Sequence, residues 1–163
     1  MTPEPSARLV PTPTGYDLVL TRTYPAGADD VWASVTEPER TARWFGAWRG
    51  RAGQGRTVEV QMAFEESAPW CPVLIEVCEP PHRLAVSMDD EAGHWSMELL
   101  LAGTGGSTEL RLVQHLASTE HLAETGPGWE YYLDMLTAAR TGGPRPDFDA
   151  YYPAQKAYFD ALA

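Results

Sequence analysis

Five consecutive stretches of alternating apolar and polar residues, followed by one stretch of helical period, constrain the fold of this chain more than any other feature. Apolar side chains occupy every second position over 58–64, and the same period returns around Ile75, Val86, Met97 and Leu112. A period of two is typical of strands that bury one face. Because short turn-like segments join the stretches, they predict an antiparallel meander.

One strand and two short helices are predicted ahead of the meander. Residues 17–24 are rich in β-branched and aromatic side chains, which favours a strand. Asp29 or Asp30 is then placed to cap a short helix, and Thr36 to cap a second one that runs to about residue 45. The segment 46–56 contains four glycines and is predicted to be a loop.

A helical period follows the meander. Trp129, Leu133 and Leu136 recur at a spacing of three and four residues until the glycine pair that starts at Gly142. Such a stripe needs an apolar surface to cover, and the inward face of the meander is the only large one available. The sequence therefore predicts an α+β fold in which a curved antiparallel sheet grips one long C-terminal helix.

The length of 163 residues fits a single domain spanning 1–163. Residues 1–16 form a proline-rich leader, which lacks the basic start and apolar core of a signal peptide. Residues 143–163 form an appended segment with a short helix of its own. No stretch approaches the roughly 20 apolar residues of a membrane-spanning helix, so we expect a soluble cytoplasmic protein.

The charge balance restricts the partners of the chain. Lys and Arg number 12 and Asp and Glu number 23, which gives a formal net charge of -11. Nucleic acids and anionic membranes are bound through clustered cations, so neither is an expected partner. The two cysteines, Cys71 and Cys78, are too few for a four-ligand zinc site. We expect no metal and no cofactor.

The register of the last hairpin can be predicted from its loop. A four-residue loop over 103–106 places Trp95 opposite Gln114, and Glu98 opposite Arg111. Apolar residues then face each other on one side of the sheet, and opposite charges on the other. The same register places His94 opposite His115 on the outer face, where we expect both to be solvated.

The order of elements and several short motifs resemble a known family. Residues 18–39 (LVLTRTYPAGADDVWASVTEPE), followed by Trp44 and Phe45, are similar to the opening of the homologues of the heat-shock-protein-90 ATPase activator. That family lies within the SRPBCC superfamily, also called START-like or birch-pollen-allergen-like. Further matches are 75–84, 108–112 and the part of the long helix that starts at Gly128.

The resemblance implies a helix-grip fold with an apolar cavity between the sheet and the long helix. Many members of the superfamily bind hydrophobic small molecules there, and the same role is expected here. The residues expected to bind the ligand are Trp44, Phe45, Met62, Phe64, Ile75, Val86, Trp95, Met97, Leu112, Gln114, Trp129 and Leu133. Two features depart from the usual family pattern. They are Phe45, where a second tryptophan is frequent, and the segment 143–163, which would plug or cover the cavity.

Alternatives to plain binding remain open at this stage. Some members of the superfamily catalyse cyclisation or dehydration without a cofactor, which here would need Gln114, a tyrosine or Glu76 as the proton-handling group. The adjacent Tyr131 and Tyr132 straddle the face of the long helix, so one of them is expected to point inward. A co-chaperone-like module that binds a protein partner through the acidic surface is the third possibility. The oligomeric state is not predicted.

Gln114 is the most informative polar residue on the inward face. A buried amide without hydrogen-bond partners costs on the order of 1–3 kcal/mol. Gln114 is therefore expected either to orient a ligand carbonyl or to bond with a neighbouring side chain, for example the indole of Trp95.

Overall fold

The computed structural model describes residues 3–62, 66–90 and 93–163. Their strands form one eight-stranded antiparallel sheet with the order β1-β2-β8-β7-β6-β5-β4-β3. The strands are β1 (Arg8–Thr12), β2 (Gly15–Tyr24), β3 (Trp48–Arg49), β4 (Thr57–Gln61), β5 (Trp70–Glu79), β6 (Arg83–Asp90), β7 (Gly93–Thr104) and β8 (Ser107–Leu116). The predicted meander is confirmed as β4 to β8.

The helices confirm the predicted helix-grip arrangement of a curved, open sheet around a long C-terminal helix. They are α1 (Ala28–Thr36), α2 (Pro38–Thr41), α3 (Leu122–Thr141) and α4 (Lys156–Leu162), with one 3-10 turn at Phe148–Ala150. The long helix α3 ends at Gly142, whose φ of 73° is the left-handed conformation that glycine adopts most easily.

The start of the long helix differs from the prediction. Gly126, Pro127 and Gly128 indicated a break, yet α3 begins at Leu122 and contains all three. Tertiary packing accounts for the difference, because Phe159 of α4 lies directly against Gly126. A Cβ atom at Gly126 would overlap the ring of Phe159, so the missing side chain is what allows α4 to approach.

The predicted helix caps are also corrected. The N-cap of α1 is Gly27 rather than Asp29 or Asp30, and it makes no side-chain cap bond. Thr36 is the last residue of α1, and its hydroxyl donates to the carbonyl oxygen of Trp32 at 2.7 Å. Glu37 therefore precedes α2, which is a single turn.

Both ends of the sheet differ from the sequence prediction. The proline-rich leader contains β1, an edge strand in which a proline costs no ladder hydrogen bond. The loop over 46–56 contains the two-residue strand β3. The prolines of the leader and the glycines of 46–56 are the reason that neither strand was predicted from the sequence.

The predicted register of the last hairpin is wrong by two residues. Thr104 pairs with Ser107, and the loop consists of Gly105 and Gly106 at positive φ angles of 57° and 82°. Two residues at positive φ form the tight turn that matches the twist of a hairpin. Gln114 therefore lies opposite Met97 instead of Trp95. A shift of two leaves every side chain on its predicted face.

Three further pairings change with the register. Arg111 lies opposite Leu100, and Glu98 lies opposite Val113. Since Met97 pairs with Gln114 of β8, His94 does not lie opposite His115, and on its other side His94 pairs with Asp89 of β6.

The apolar core has two parts. The larger part packs β2, β7 and β8 against α1 and α3, and its fully buried members include Leu18, Leu20, Leu110, Leu133 and Leu136. The smaller part lies on β4, β5 and β6 and contains Val58, Val73, Ile75 and Met88.

The two chain termini meet on a face of α3 away from this smaller part. Arg22 of β2 reaches Glu130 and Asp134 of α3, at 3.1 Å in each case. Burial alone would lower the pKa of Arg22, but the two carboxylates outweigh it and raise that pKa. The hydroxyl of Tyr151 donates to the second oxygen of Asp134 at 2.7 Å, and Tyr158 donates to the carbonyl of Ala7 at 2.7 Å. The segment 143–163 is thereby fixed to α3 and to the leader.

Candidate functional site

An apolar cavity of about 220 Å³ lies between the inward face of strands β4 to β8 and helices α1 and α2, and we call it the inner cavity. It is lined by Trp32, Val35, Thr36, Thr41, Trp44, Phe45, Gly46, Trp48, Ala52, Gly53, Val58, Val60, Val73, Ile75, Cys78, Leu84, Val86, Met88, Met97, Glu98, Leu99, Leu112 and Trp129. Trp129 is its contribution from α3. The cavity exists because α3 packs over the β2 and β8 side of the sheet and leaves the β4 to β6 side uncovered.

Two tryptophans of the inner cavity are held by the last turns of α1. The indole nitrogen of Trp44 donates to the carbonyl of Ser34 at 2.9 Å, and that of Trp48 donates to the carbonyl of Thr36 at 2.7 Å. Indole N–H groups need an acceptor when they are buried. These bonds fix the orientation of both rings, so the wall that they form is preorganised.

The hydroxyl and carboxylate groups among the described residues that line the inner cavity already have partners. The hydroxyl of Thr41 lies 3.3 Å from the carbonyl of Pro38, and that of Thr36 is bonded within α1. The carboxylate of Glu98 is held by Arg83 and His115, at 2.7 Å each. Burial alone would raise the pKa of Glu98, but these hydrogen bonds outweigh it and lower that pKa.

A larger cleft of about 1060 Å³ adjoins the inner cavity, and we call it the outer cleft. It is lined by Phe45, Met62, Glu66, Ser67, Pro69, Trp70, Cys71, Pro72, Met88, Asp89, Asp90, Trp95, Met97, Glu124, Thr125, Gly128, Trp129, Tyr131, Tyr132 and Phe148. Four residues, Phe45, Met88, Met97 and Trp129, line both spaces and form the shared wall.

Aromatic rings pack around Phe45 at this shared wall. Its ring stacks on Trp129 with centroids 6.3 Å apart, and it meets Tyr132 edge-on at 5.0 Å. Trp44 lies 5.5 Å away on the inner side. Tyr131 continues the cluster to Phe148, at 5.3 Å. The ring of Phe45 thus packs against aromatic residues on both sides of the shared wall.

Gln114 is bonded to the shared wall. The indole nitrogen of Trp129 donates to Oε1 of Gln114 at 2.7 Å, and Gln114 is only 3% exposed. The neighbouring-side-chain alternative thus holds, with Trp129 as the donor. The indole of Trp95 donates instead to Asp90 at 2.9 Å. The difference follows from the register, which moves Trp95 away from Gln114.

The structure brings most of the predicted binding residues together. Trp44, Ile75, Val86 and Leu112 line the inner cavity, Met62 and Trp95 line the outer cleft, and Phe45, Met97 and Trp129 line both. Gln114 of β8 and Leu133 of α3 are buried and line neither space. Phe64 lies outside the described residues.

Several residues of the site escaped the sequence analysis. Trp48 was hidden in a segment that its glycines mark as a loop, and Trp32 belongs to a helix too short for its period to show a face. Phe148 is the residue of 143–163 that reaches the outer cleft, and no described residue of that segment lines the inner cavity. In the described part of the chain, the appended segment therefore does not plug the cavity.

The candidate proton-handling residues are placed as follows. Tyr131 and Tyr132 both line the outer cleft, so the expectation that only one points inward is corrected. Glu76 is exposed, accepts a hydrogen bond from Ser87 at 2.8 Å, and lines neither space.

Within 3–62, 66–90 and 93–163, no group of three or more His, Cys, Asp or Glu residues is arranged to hold a metal ion. Over the same residues, no helix combines the length and apolar character needed to cross a membrane.

Comparison with known proteins gives one family. Residues 25–140 match the family described as Activator of Hsp90 ATPase homolog 1-like protein, which confirms the resemblance stated from the sequence. No curated protein matches the chain.

Solved structures share the fold along nearly the whole chain. CalU16 from Micromonospora echinospora, in its crystal structure, is 29% identical, with 98% of this chain and 96% of that one covered and a TM-score of 0.78. A Bordetella parapertussis protein solved by NMR is 20% identical over 100% of this chain and 96% of its own, with a TM-score of 0.76. DynU16, from the dynemicin biosynthetic locus, is 22% identical over 81% of this chain and 50% of its own, with a TM-score of 0.69.

Proposed function

We propose that this chain, which belongs to the Activator of Hsp90 ATPase homolog 1-like family, binds a small hydrophobic molecule in the inner cavity. The observation that carries the proposal is the inner cavity itself, a space of about 220 Å³ with a nearly continuous apolar lining that no side chain of the described residues fills. Burying apolar surface contributes about 25 cal/mol per Å², so an apolar guest is the one that such a lining favours.

The roles of the residues follow from their positions. Val86 and Ile75 form the floor on the sheet, and Trp44 is part of the roof. Phe45 and Trp129 line the side toward the outer cleft, which they also border. Gln114 acts indirectly, because it accepts the hydrogen bond that orients the Trp129 indole.

The polar contacts favour binding over catalysis. A general acid or base must present its proton, or a lone pair, to the substrate. In the described lining of the inner cavity the threonine hydroxyls are bonded to backbone carbonyls, and the carboxylate of Glu98 is bonded to Arg83 and His115. A molecule held there is therefore retained unchanged.

A fluorescence titration tests the proposal. The probe is N-phenyl-1-naphthylamine, which is uncharged, aromatic and brighter in apolar surroundings. The variant Val86→Phe adds a ring at the centre of the cavity floor, where Val86 lies opposite Ile75 and Met97. Its control is Val10→Phe, the same change at a position on β1 that is 42% exposed.

We expect saturable binding to the wild-type protein, unchanged by Val10→Phe and weakened at least about tenfold by Val86→Phe, which corresponds to about 1.4 kcal/mol. Thermal unfolding of each variant shows that it is folded. Val60→Phe, which narrows the cavity from β4, serves as a second variant. Equal affinity in the wild type and in both folded cavity variants would overturn the proposal.

A further inference from the structure

The outer cleft continues the inner cavity and differs from it in chemistry. The inner cavity is apolar, whereas the outer cleft combines aromatic rings with the acidic residues Glu66, Asp89, Asp90 and Glu124. Phe45 and Trp129, which pack side by side, belong to both. A ligand that passes this shared wall therefore has one part in each environment.

The volumes indicate that a ligand uses both spaces. Sites for small molecules typically measure about 300–1,000 Å³, and the inner cavity at about 220 Å³ is smaller than that. The outer cleft at about 1060 Å³ is large enough for the remainder. A ligand that fills the inner cavity with an apolar end thus places its other end among the carboxylates and rings of the outer cleft.

The carboxylates of the outer cleft are only partly compensated. No Lys or Arg is among its described lining residues. His94 lies 2.8 Å from Asp89, and Asp90 accepts from the indole of Trp95. Arg49 lies 3.9 Å from the ring centre of Trp70 and is paired with Glu59.

Two of these acidic residues come from different elements. Glu66 follows β4 and Glu124 lies in the first turn of α3, and both are exposed. Glu124 also interacts electrostatically with Lys156, which is itself paired with Asp160.

From this arrangement we infer that the ligand is an amphiphile with an apolar end in the inner cavity and a positively charged amine or quaternary ammonium group in the outer cleft. This inference rests on the proposed function. Carboxylates attract such a cation, and the faces of Trp and Tyr rings bind it through the cation–π interaction. The rings that line the cleft near the acidic residues include Trp95, Tyr131 and Tyr132.

Three probes with the same apolar chain test the inference: decyltrimethylammonium, 1-decanol and decanoate. Each competes with N-phenyl-1-naphthylamine at low ionic strength and below its aggregation limit, which light scattering verifies. We expect the ammonium to bind at least about fivefold more tightly than the alcohol, and the carboxylate to bind most weakly. Added salt is expected to narrow these differences, because it screens exposed charges.

A pair of matched variants locates the effect. E66Q/E124Q removes two carboxylates from the outer cleft, whereas E4Q/E39Q removes two exposed ones that line neither space, so the net charge changes equally. We expect the first variant to weaken the ammonium at least about threefold and to leave the alcohol unchanged. The second variant is expected to leave both unchanged.

The outcomes separate the inference from the proposed function. If the alcohol displaces the probe but the three head groups bind alike, or decanoate binds best, the inference is wrong and the proposed function stands. If E4Q/E39Q weakens binding of the ammonium probe as much as E66Q/E124Q does, the effect is caused by net charge alone and the inference is again wrong. If neither the probe nor any of the three amphiphiles binds, the proposed function itself fails.

Discussion

The two halves of the inward face of the sheet have the same alternating sequence pattern, but their side chains differ in burial. On β2 and β8, Leu18, Leu20 and Leu110 are completely buried beneath α3. On β6, Val86 and Leu84 follow the same alternation but are only half-buried, because α3 does not pack on them and the inner cavity separates them from α1 and α2. We call these the covered half and the uncovered half.

The difference shows that an alternating apolar stripe specifies an inward face without specifying what fills the space inside it. In the covered half the filling is supplied by Leu133 and Leu136 of α3, both fully buried. In the uncovered half, Trp129 is the residue that α3 contributes to the described lining, and a cavity remains. The direction in which one helix crosses the sheet therefore separates core from candidate site.

The largest effect is expected at the charged edge of the covered half. Glu130 is 1% exposed and depends on Arg22 for its compensating charge. Removing one partner of a buried pair typically costs about 3–5 kcal/mol, because the other charge is left without compensation. We expect Arg22→Met to lower the free energy of unfolding by about that amount, measured by urea denaturation.

The control for this variant is Arg111→Met. Arg111 forms an exposed pair with Glu109 at 3.1 Å, and exposed pairs contribute about 0–1 kcal/mol. Equal losses from the two variants would show that the Arg22 network does not stabilise the covered half in the way inferred.

The comparison itself is tested by truncating one leucine in each half. Leu20→Ala removes a side chain packed on all sides and is expected to cost about 2–5 kcal/mol. Leu84→Ala removes a half-buried side chain that already borders the inner cavity, so fewer contacts are lost and we expect less than about 2 kcal/mol. Thermal or urea unfolding of both variants measures the difference. A cost at Leu84 equal to that at Leu20 would mean that the uncovered half is filled in solution.

The boundary between the two halves is held by the bond from Trp129 to Gln114. Trp129→Phe leaves the amide oxygen of Gln114 buried without its donor, which we expect to cost about 1–3 kcal/mol. The double variant W129F/Q114L removes both partners and should recover part of the loss. A double-mutant cycle in urea measures the coupling. Strictly additive costs would contradict the view that this bond orients the shared wall.

The sequence predicted the architecture, and most of the residues that it proposed for ligand binding line one of the two spaces, for reasons that are local. The alternation around Val86 and Met97 indicates which side of each strand faces inward. That side stays the same when the strand pairing shifts by two residues. The partner of Gln114 could not be predicted, because it depends on the loop of Gly105 and Gly106 being two residues long instead of four.

The remaining errors arise from packing between distant parts of the chain. The early start of α3 requires Phe159 to lie against Gly126, and nothing near Gly126 in the sequence indicates that contact. Likewise, the outer cleft joins residues of β5, β6, β7, α3 and the segment 143–163. Such a site exists only once the helix direction is known.

The smallest expected effect lies on the outer face of the covered half, where His115 links three strands. Its Nδ1 lies 2.7 Å from Asp17 of β2, and its Nε2 lies 2.7 Å from Glu98 of β7. Burial alone would lower the pKa of His115, but the hydrogen bonds to both carboxylates outweigh it and raise that pKa above the ordinary 6.5. The protonated imidazole is therefore the form that joins β2 to β7.

A raised pKa in the folded state sets the direction of the pH dependence. The stabilisation is fully present below the ordinary pKa and is lost as the pH rises through the raised value. We expect His115→Gln to lower the unfolding temperature more at pH about 6 than at pH about 9, with a small effect because His115 is partly exposed. His121→Gln, at an exposed histidine without an ion pair among the described residues, is the matched control. A larger effect of His115→Gln at the higher pH would mean that the imidazole does not bridge the two strands as a cation.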